Sequence, residues 1–297
     1  MKKILKLAGL ISLGLFLFVS CKKETPLPTV SFTAKVESNV VTFSAVVTNE
    51  TKYEWDFGDG SYINTIHSPV HVYGEYGRDF TVSLTIIGAG GRVTVSNKVT
   101  IPPKTKIQLL TGGNTASSSK KWRVSKTAAS FTVTYANAGL SILGSYPGSI
   151  LGSINMAAVY NDEFVFAGDG TMSINSKSGG IFASLAYCMG NQIPMASNYA
   201  GAGLAYMASF TAPVGATFAI NEGKNYTITT PLGPVTYSNV TTMSFTNGGF
   251  LGIKDFTSEC IIQKLTDTSI DAIIFYAHPS YGAQPMLALQ VTFEVAP

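Results

Sequence analysis

Strict alternation of apolar and polar residues constrains this chain more than any other feature. Val30, Phe32, Ala34 and Val36 alternate with more polar positions, and Val41, Phe43, Ala45 and Val47 repeat the pattern after a Ser-Asn turn. A period of two places every apolar side chain of a run on one face of an extended strand, so each run predicts a half-buried strand. Phe80, Val82, Leu84 and Ile86 predict a later strand. After the turn at GAGG, Val93, Val95, Asn97, Val99 and Ile101 predict the last of this group. Several short strands within about 75 residues, separated by turn residues, describe a β-sandwich.

The same grammar continues beyond IPPKTK (101–106), whose consecutive prolines suit a short stiff linker over 103–106. In residues 107–297, EFVFAGDGTMSI predicts a hairpin turning at Asp169-Gly170, and TTMSFTNGGFLGI another at Asn247-Gly248. CIIQKLTDTSIDAIIFYA predicts a third closing through TDTS. Leu287, Leu289, Val291, Phe293 and Val295 predict a last strand running from an edge toward the core. Charged residues make up only 12% of the chain and no long helical period occurs, which favours an all-β protein. The expected fold is a small β-sandwich followed by a larger, jelly-roll-like β-sandwich.

The chain opens with Lys2, Lys3 and Lys6, a short apolar run from Leu7 to Val19, then Ser20 and Cys21. This is the pattern of an export signal over 1–20, too short to cross a bilayer comfortably. FVSC resembles the lipobox of bacterial lipoproteins, which implies an acylated Cys21 at the mature N-terminus and residues 21–28 as a tether. The lipid would hold the chain at a membrane. The expected location is an exported outer-membrane lipoprotein at the cell surface. Of 20 basic and 17 acidic residues, three of the basic ones lie in the signal, so the remainder is balanced. That leaves no electrostatic footprint for nucleic acid.

YEWDFGDGSY (53–62), with HSPVHVY (67–73) after it, is the most chemical stretch by residue type. Pro69 opposes a helix between His67 and His71. On a strand their spacing is about 13 Å, so they cannot chelate one ion directly. Asp56 and Asp59 flank Gly58 as turn residues whose carboxylates accept backbone N–H groups, and the ligand series of a calcium loop is missing. Trp55 reads as a core aromatic rather than a sugar platform. WDFGDGS, SPVHVY and DFTVSLTI are similar to the PKD domain, an immunoglobulin-like sandwich of extracellular proteins, over residues 29–102. The resemblance marks Trp55, Asp56, Gly58, Asp59, Gly60, His71 and Tyr73 as a fold signature. Gly77, Arg78 and Asp79 stand where the family usually has Pro-Gly-Thr.

LLTGGNTASSSKKWRVSK, YNDEFVFAGDGTMSI and LTDTSIDAIIF resemble the domain that follows PKD modules in Bacteroidetes surface lipoproteins linked to polysaccharide use. The resemblance implies a polysaccharide or oligosaccharide ligand. Trp122 is the only tryptophan of this part and reads as core. Tyr146, Tyr187, Tyr199, Tyr206 and Tyr281, in Gly/Ala/Pro-rich surroundings, are the candidate ligand-binding rings, each with ordinary packing as the alternative. SILGSYPGSILGSINMAAV and YAGAGLAYMASF would form an interaction patch if exposed, which points to an outer-membrane protein partner instead.

Cys188 and Cys260 are either a disulfide or two separate buried thiols. The carboxylates are mostly isolated in turns, no GxSxG elbow occurs, and His278 has no evident acidic partner. Neither zinc spacing nor any cofactor motif is present. The expectation is a non-catalytic binding protein, with a carbohydrate ligand first, an adhesive or structural role with a protein partner second, and a glycoside hydrolase third.

Overall fold

The computed structural model describes residues 25–129, 131–177, 179–194 and 205–297. The chain divides into two compact units, Met1–Pro103 and Lys104–Pro297.

In the first unit β1 (Thr29–Glu37), β2 (Val40–Thr48) and β4 (Val70–Val72) form one sheet, in the order β1-β2-β4. β3 (Lys52–Asp56), β5 (Arg78–Gly88) and β6 (Gly91–Ile101) form the other, in the order β3-β5-β6. The alternating residues face inward: Phe32, Val41, Phe43, Phe80, Val82, Leu84, Ile86, Val99 and Ile101 are buried in one cluster with Trp55, Phe57 and Tyr73. Trp55 is fully buried, with Phe32 and Phe43 about its ring at 5.0 and 5.2 Å. Its indole N–H donates to the Ile66 carbonyl at 2.9 Å, which satisfies the one polar group the ring brings into the core.

The second unit begins with α1 (Lys106–Thr111), where Thr105 and Gln108 form a capping box. β7 (Ser119–Val124), β8 (Phe131–Tyr135) and β9 (Ile142–Tyr146) follow. Next come α2 (Ile150–Ser153), a 3-10 turn at Ala157–Asn161, β10 (Glu163–Ala167), β11 (Met172–Asn175), β12 (Ile181–Ser184), α3 (Leu185–Gly190) and β13 (Ala205–Ala208). The chain ends in β14 (Thr217–Thr230), β15 (Gly233–Thr246), β16 (Glu259–Leu265), β17 (Ser269–Ala277), a 3-10 turn at Pro279–Tyr281, and β18 (Pro285–Val295).

The main sheet has the order β11-β10-β7-β18-β17-β16-β15-β14, with β8 and β9 attached beside β18. An antiparallel bridge between Thr171 and Thr217 brings the two ends of this order together, so the sheet curls round a core containing Trp122, Phe164, Phe166, Met243, Ile274, Leu289 and Phe293. The strands β14 to β18 are buried on their other face too. Ile261, Ile273, Phe275 and Ala288 there pack with Tyr226 and Tyr237 from the long β14–β15 hairpin, which bends at bulges near Asn221 and Lys224.

Two sequence expectations change. Residues 241–253 are not a hairpin: Thr241–Thr246 end the long strand β15, and the strand that returns along it, β16, begins only at Glu259. Phe250, Leu251 and Ile253 are all buried, so they plug the core instead of alternating. β18 is central rather than an edge, paired with β17 on one side and with β7 and β8 on the other. The hairpins β10–β11 and β16–β17 form at the expected turns.

Candidate functional site

The Asp-Gly-rich stretch of the first unit is a built turn. Asp56 Oδ1 accepts the Gly58 N–H at 2.9 Å, and Asp59 Oδ1 accepts the Ser61 N–H at 3.1 Å. Gly58 sits at φ 75°, and a side chain there would meet the Thr81 carbonyl oxygen at 2.4 Å, so the turn requires glycine. His71 stacks on Phe57 with ring centroids 3.9 Å apart, and its Nε2 lies 2.7 Å from Asp59 Oδ2. Burial raises the Asp59 pKa, but hydrogen bonds from Ser61 and His71 outweigh it and hold the carboxyl below its ordinary range. The Tyr73 hydroxyl donates to the Phe57 carbonyl at 3.1 Å, and burial pushes its pKa up. His67 turns away to Ser68 and Tyr53. All these groups are spent within the sandwich.

In the second unit the candidate tyrosines part into two places. Tyr187 on α3 meets Phe256 edge to face at 5.2 Å, with Lys254 Nζ 5.6 Å from its ring. Burial raises the Tyr187 pKa and lowers that of Lys254. α3 packs against β13, which carries half-buried Tyr206, and against the 3-10 turn carrying exposed Tyr281. A groove of about 220 Å³ beside Tyr187 is lined by Ser209, Phe210, Thr211 and Lys254. Tyr199 lies outside the described residues, as does Cys21.

Tyr146 stands apart, on β9, at the mouth of an apolar cavity of about 170 Å³. Phe131 and Val133 of β8 and Leu289 of β18 form its floor, Ile150 and Leu151 of α2 one flank, and Phe182 of β12 another. Tyr160 fixes that flank: its hydroxyl accepts the Leu151 N–H at 3.0 Å and donates to the Gly148 carbonyl at 2.5 Å. Leu143 and Tyr146 line the cavity yet remain 48% and 43% exposed, and Ile142 beside them on β9 is 70% exposed. Ile142 and Leu143 belong to the first SILGS segment, and Ile150 and Leu151 to the second. The sequence signalled the apolar run, but not that residues of both copies, Leu143 from the first and Ile150 with Leu151 from the second, line one cavity.

Beneath α3 lies a buried carboxylate, Asp255, that nothing in its local sequence signals. Asp255 accepts hydrogen bonds from Ser184 Oγ and, at 3.1 Å, from the Ala277 N–H. Burial pushes its pKa up to about 6 against those hydrogen bonds. Four further carboxylates are tied down by cations or hydroxyls: Glu163 by Lys177 and Lys121, Glu294 by Arg123 and Ser125, Glu259 by Lys224, and Asp271 by Thr292. Cys188 and Cys260 are both buried and free, one on α3 and one on β16, so no bridge joins them. Among the described residues no group of three or more His, Cys, Asp or Glu is placed to hold a metal ion. No helix among them is long and apolar enough to cross a membrane.

Residues 24–102 match the PKD domain family. Among solved structures, the PKD1 domain of Vibrio anguillarum Epp is similar at 24% identity over 27% of this chain and 100% of that one, with a TM-score of 0.26. The PKD1 domain of the Vibrio cholerae metalloprotease PrtV is similar at 26% identity over 25% of this chain and 96% of that one, with a TM-score of 0.24. A structure described as carbohydrate-binding modules from the beta-sandwich super family is similar at 14% identity over 91% of this chain and 96% of that one, with a TM-score of 0.24. No curated protein sequence matches the chain. The first unit is thus an immunoglobulin-like PKD domain, and the second is the larger β-sandwich.

Proposed function

We propose that this chain is a membrane-tethered extracytoplasmic binding protein without catalysis of its own, in which the PKD domain is a spacer and the C-terminal sandwich docks a protein partner. The observation that carries the reading is the pair of exposed aliphatic side chains on β9, Ile142 and Leu143, the second of which also lines the apolar cavity. An exposed apolar patch on a rigid sandwich supports docking of a partner. The tether is the acylated Cys21 at the head of the Pro-punctuated segment 21–28. The surface of an outer membrane is the location in keeping with it.

Carbohydrate binding is the second reading. It is supported by the groove where Tyr187, with Lys254 above its ring, meets the hydroxyls of Ser209 and Thr211. Such a groove offers one aromatic face and a few polar groups, as a sugar site needs.

The two readings separate in one comparison, between the native chain and a double variant, Ile142→Lys with Leu143→Lys. Cross-linked partner recovered from membranes with the native chain is expected to disappear with the variant, while retention of polysaccharides from a broad panel stays absent in both. Polysaccharide retention that Tyr187→Ala removes and the lysine variant keeps would replace the first reading by the second.

A further inference from the structure

β9 is an edge. Among the described residues it pairs with β8 alone, through Phe131–Tyr146, Thr132–Ser145, Val133–Gly144 and Thr134–Ile142. An edge strand presents a row of backbone donors and acceptors to any extended segment that comes alongside, and proteins usually guard such edges with charge or proline. Residues 131–160 contain no Asp, Glu, Lys, Arg or His, so no charge on β8, β9 or the chain through Tyr160 guards this edge, which is interrupted by a bulge at Leu143 and ends before Pro147. A charge-free surface of this kind complements an uncharged segment and penalises a charged one, which would lose hydration without gaining a partner.

The cavity adds the second element. Phe131 and Tyr146 are direct cross-strand partners, as are Val133 and Gly144, so the β8–β9 pair itself supplies the cavity's inner wall. Its volume of about 170 Å³ is that of a site for one ring or one branched aliphatic side chain. An apolar cavity of about 150 Å³ stays dry and takes a benzene-sized guest. Strand addition to an edge draws affinity from main-chain hydrogen bonds and specificity from pockets that receive alternate side chains. Here the edge and the pocket share the same strand.

We propose that β9 is a strand-addition site for an uncharged, extended peptide segment of a partner protein, and that the cavity behind Leu143 and Tyr146 receives a single phenylalanine- or leucine-sized anchor from that segment. The proposal rests on the protein-partner reading above and gives the partner its chemistry.

The test uses the whole mature chain with Cys21→Ser, titrated with capped heptapeptides of alternating threonine and valine. Their central residue is phenylalanine, leucine, alanine or lysine, and binding is read by calorimetry and by amide shifts. The phenylalanine and leucine peptides are expected to bind roughly tenfold or more tighter than the alanine peptide, from filling an apolar pocket, and to shift the amides of 142–146. Leu143→Lys, at a position exposed enough to leave the fold intact, is expected to abolish that preference. Equal binding of all four peptides, no binding, or shifts elsewhere would overturn the proposal. So would octanoate binding as tightly as the phenylalanine peptide, which would make the cavity a small-ligand site, or β9-dependent dimers that exclude the peptides. If the peptides fail while the membrane cross-link still depends on Ile142 and Leu143, only the strand-addition mode falls. If that cross-link also fails, the protein-partner reading falls with it.

Discussion

The ring of Tyr146 folds back across Gly144, so close that a side chain at 144 would meet the Tyr146 hydroxyl at 2.6 Å. The glycine is therefore what lets the tyrosine lie along its own strand and frame the cavity. Gly144→Val replaces that space with a β-branched side chain suited to a strand. Because the obstructing atoms belong to the far end of a flexible side chain, stability should change by less than about 1 kcal/mol. Tyr146 should swing outward, detected as a rise in its fluorescence quenching by added iodide. An unchanged quenching constant would show that the ring does not rest on Gly144.

Asp255 should make the second unit more stable in mild acid. Its carboxyl has a pKa of about 6 when folded against an ordinary value of 3.8, so between those values the folded state holds more protons than the unfolded one. Stability from this group is complete below about pH 4 and is lost as pH rises through about 6. The span corresponds to about 3 kcal/mol at most. Glu163, Glu294 and Asp169 have lowered values and act in the opposite sense, so the quantity to follow is the difference in unfolding free energy between the native chain and Asp255→Asn from pH 4 to 7. That difference should favour the native chain more strongly as pH falls; a flat difference would contradict the buried, raised carboxyl.

Gly58 and Gly60 test the turn of the PKD domain as a pair. Both have positive φ, 75° and 81°, but only Gly58 also faces a backbone carbonyl, while nothing lies within 4 Å of a side chain at Gly60. Gly60→Ala should cost about 1 kcal/mol for the left-handed conformation alone. Gly58→Ala should cost clearly more, about 2 kcal/mol or above, since the Thr81 carbonyl cannot step aside. Equal losses in chemical denaturation would refute the close approach.

The two thiols of the second unit should stay silent to a thiol reagent until the chain unfolds. Burial pushes the Cys260 thiol up to about 12 and raises Cys188 as well, and it is the thiolate that reacts. Both should then titrate in denaturant without reductant. Failure of either to appear without reductant would mean a disulfide.

The first unit was nearly all legible in the chain because its information is local. Period-two alternation names the core face, and Asp56, Gly58 and Asp59 carry their turn within a few residues. The second unit was legible only as strands. Asn247-Gly248 signals a turn, but whether a strand returns at once depends on Phe250, Leu251 and Ile253 finding room in a core built from residues far along the chain. The cavity was illegible for the same reason: its walls come from β8, β9, α2, β12 and β18, and no short window contains them. The two SILGS copies look alike in sequence, yet one forms an exposed strand and the other a half-buried helical turn under the Tyr160 hydroxyl.

Photo-crosslinking in intact cells shows whether a protein docks on β9, with a light-activated residue in place of Leu143 on that strand and, as control, in place of Leu232. Leu232 is also an exposed leucine, 84% accessible, in the β14–β15 turn. A discrete protein adduct is expected from position 143 and none of the same mass from 232. No adduct from 143, or the same adducts from both positions, would contradict docking there.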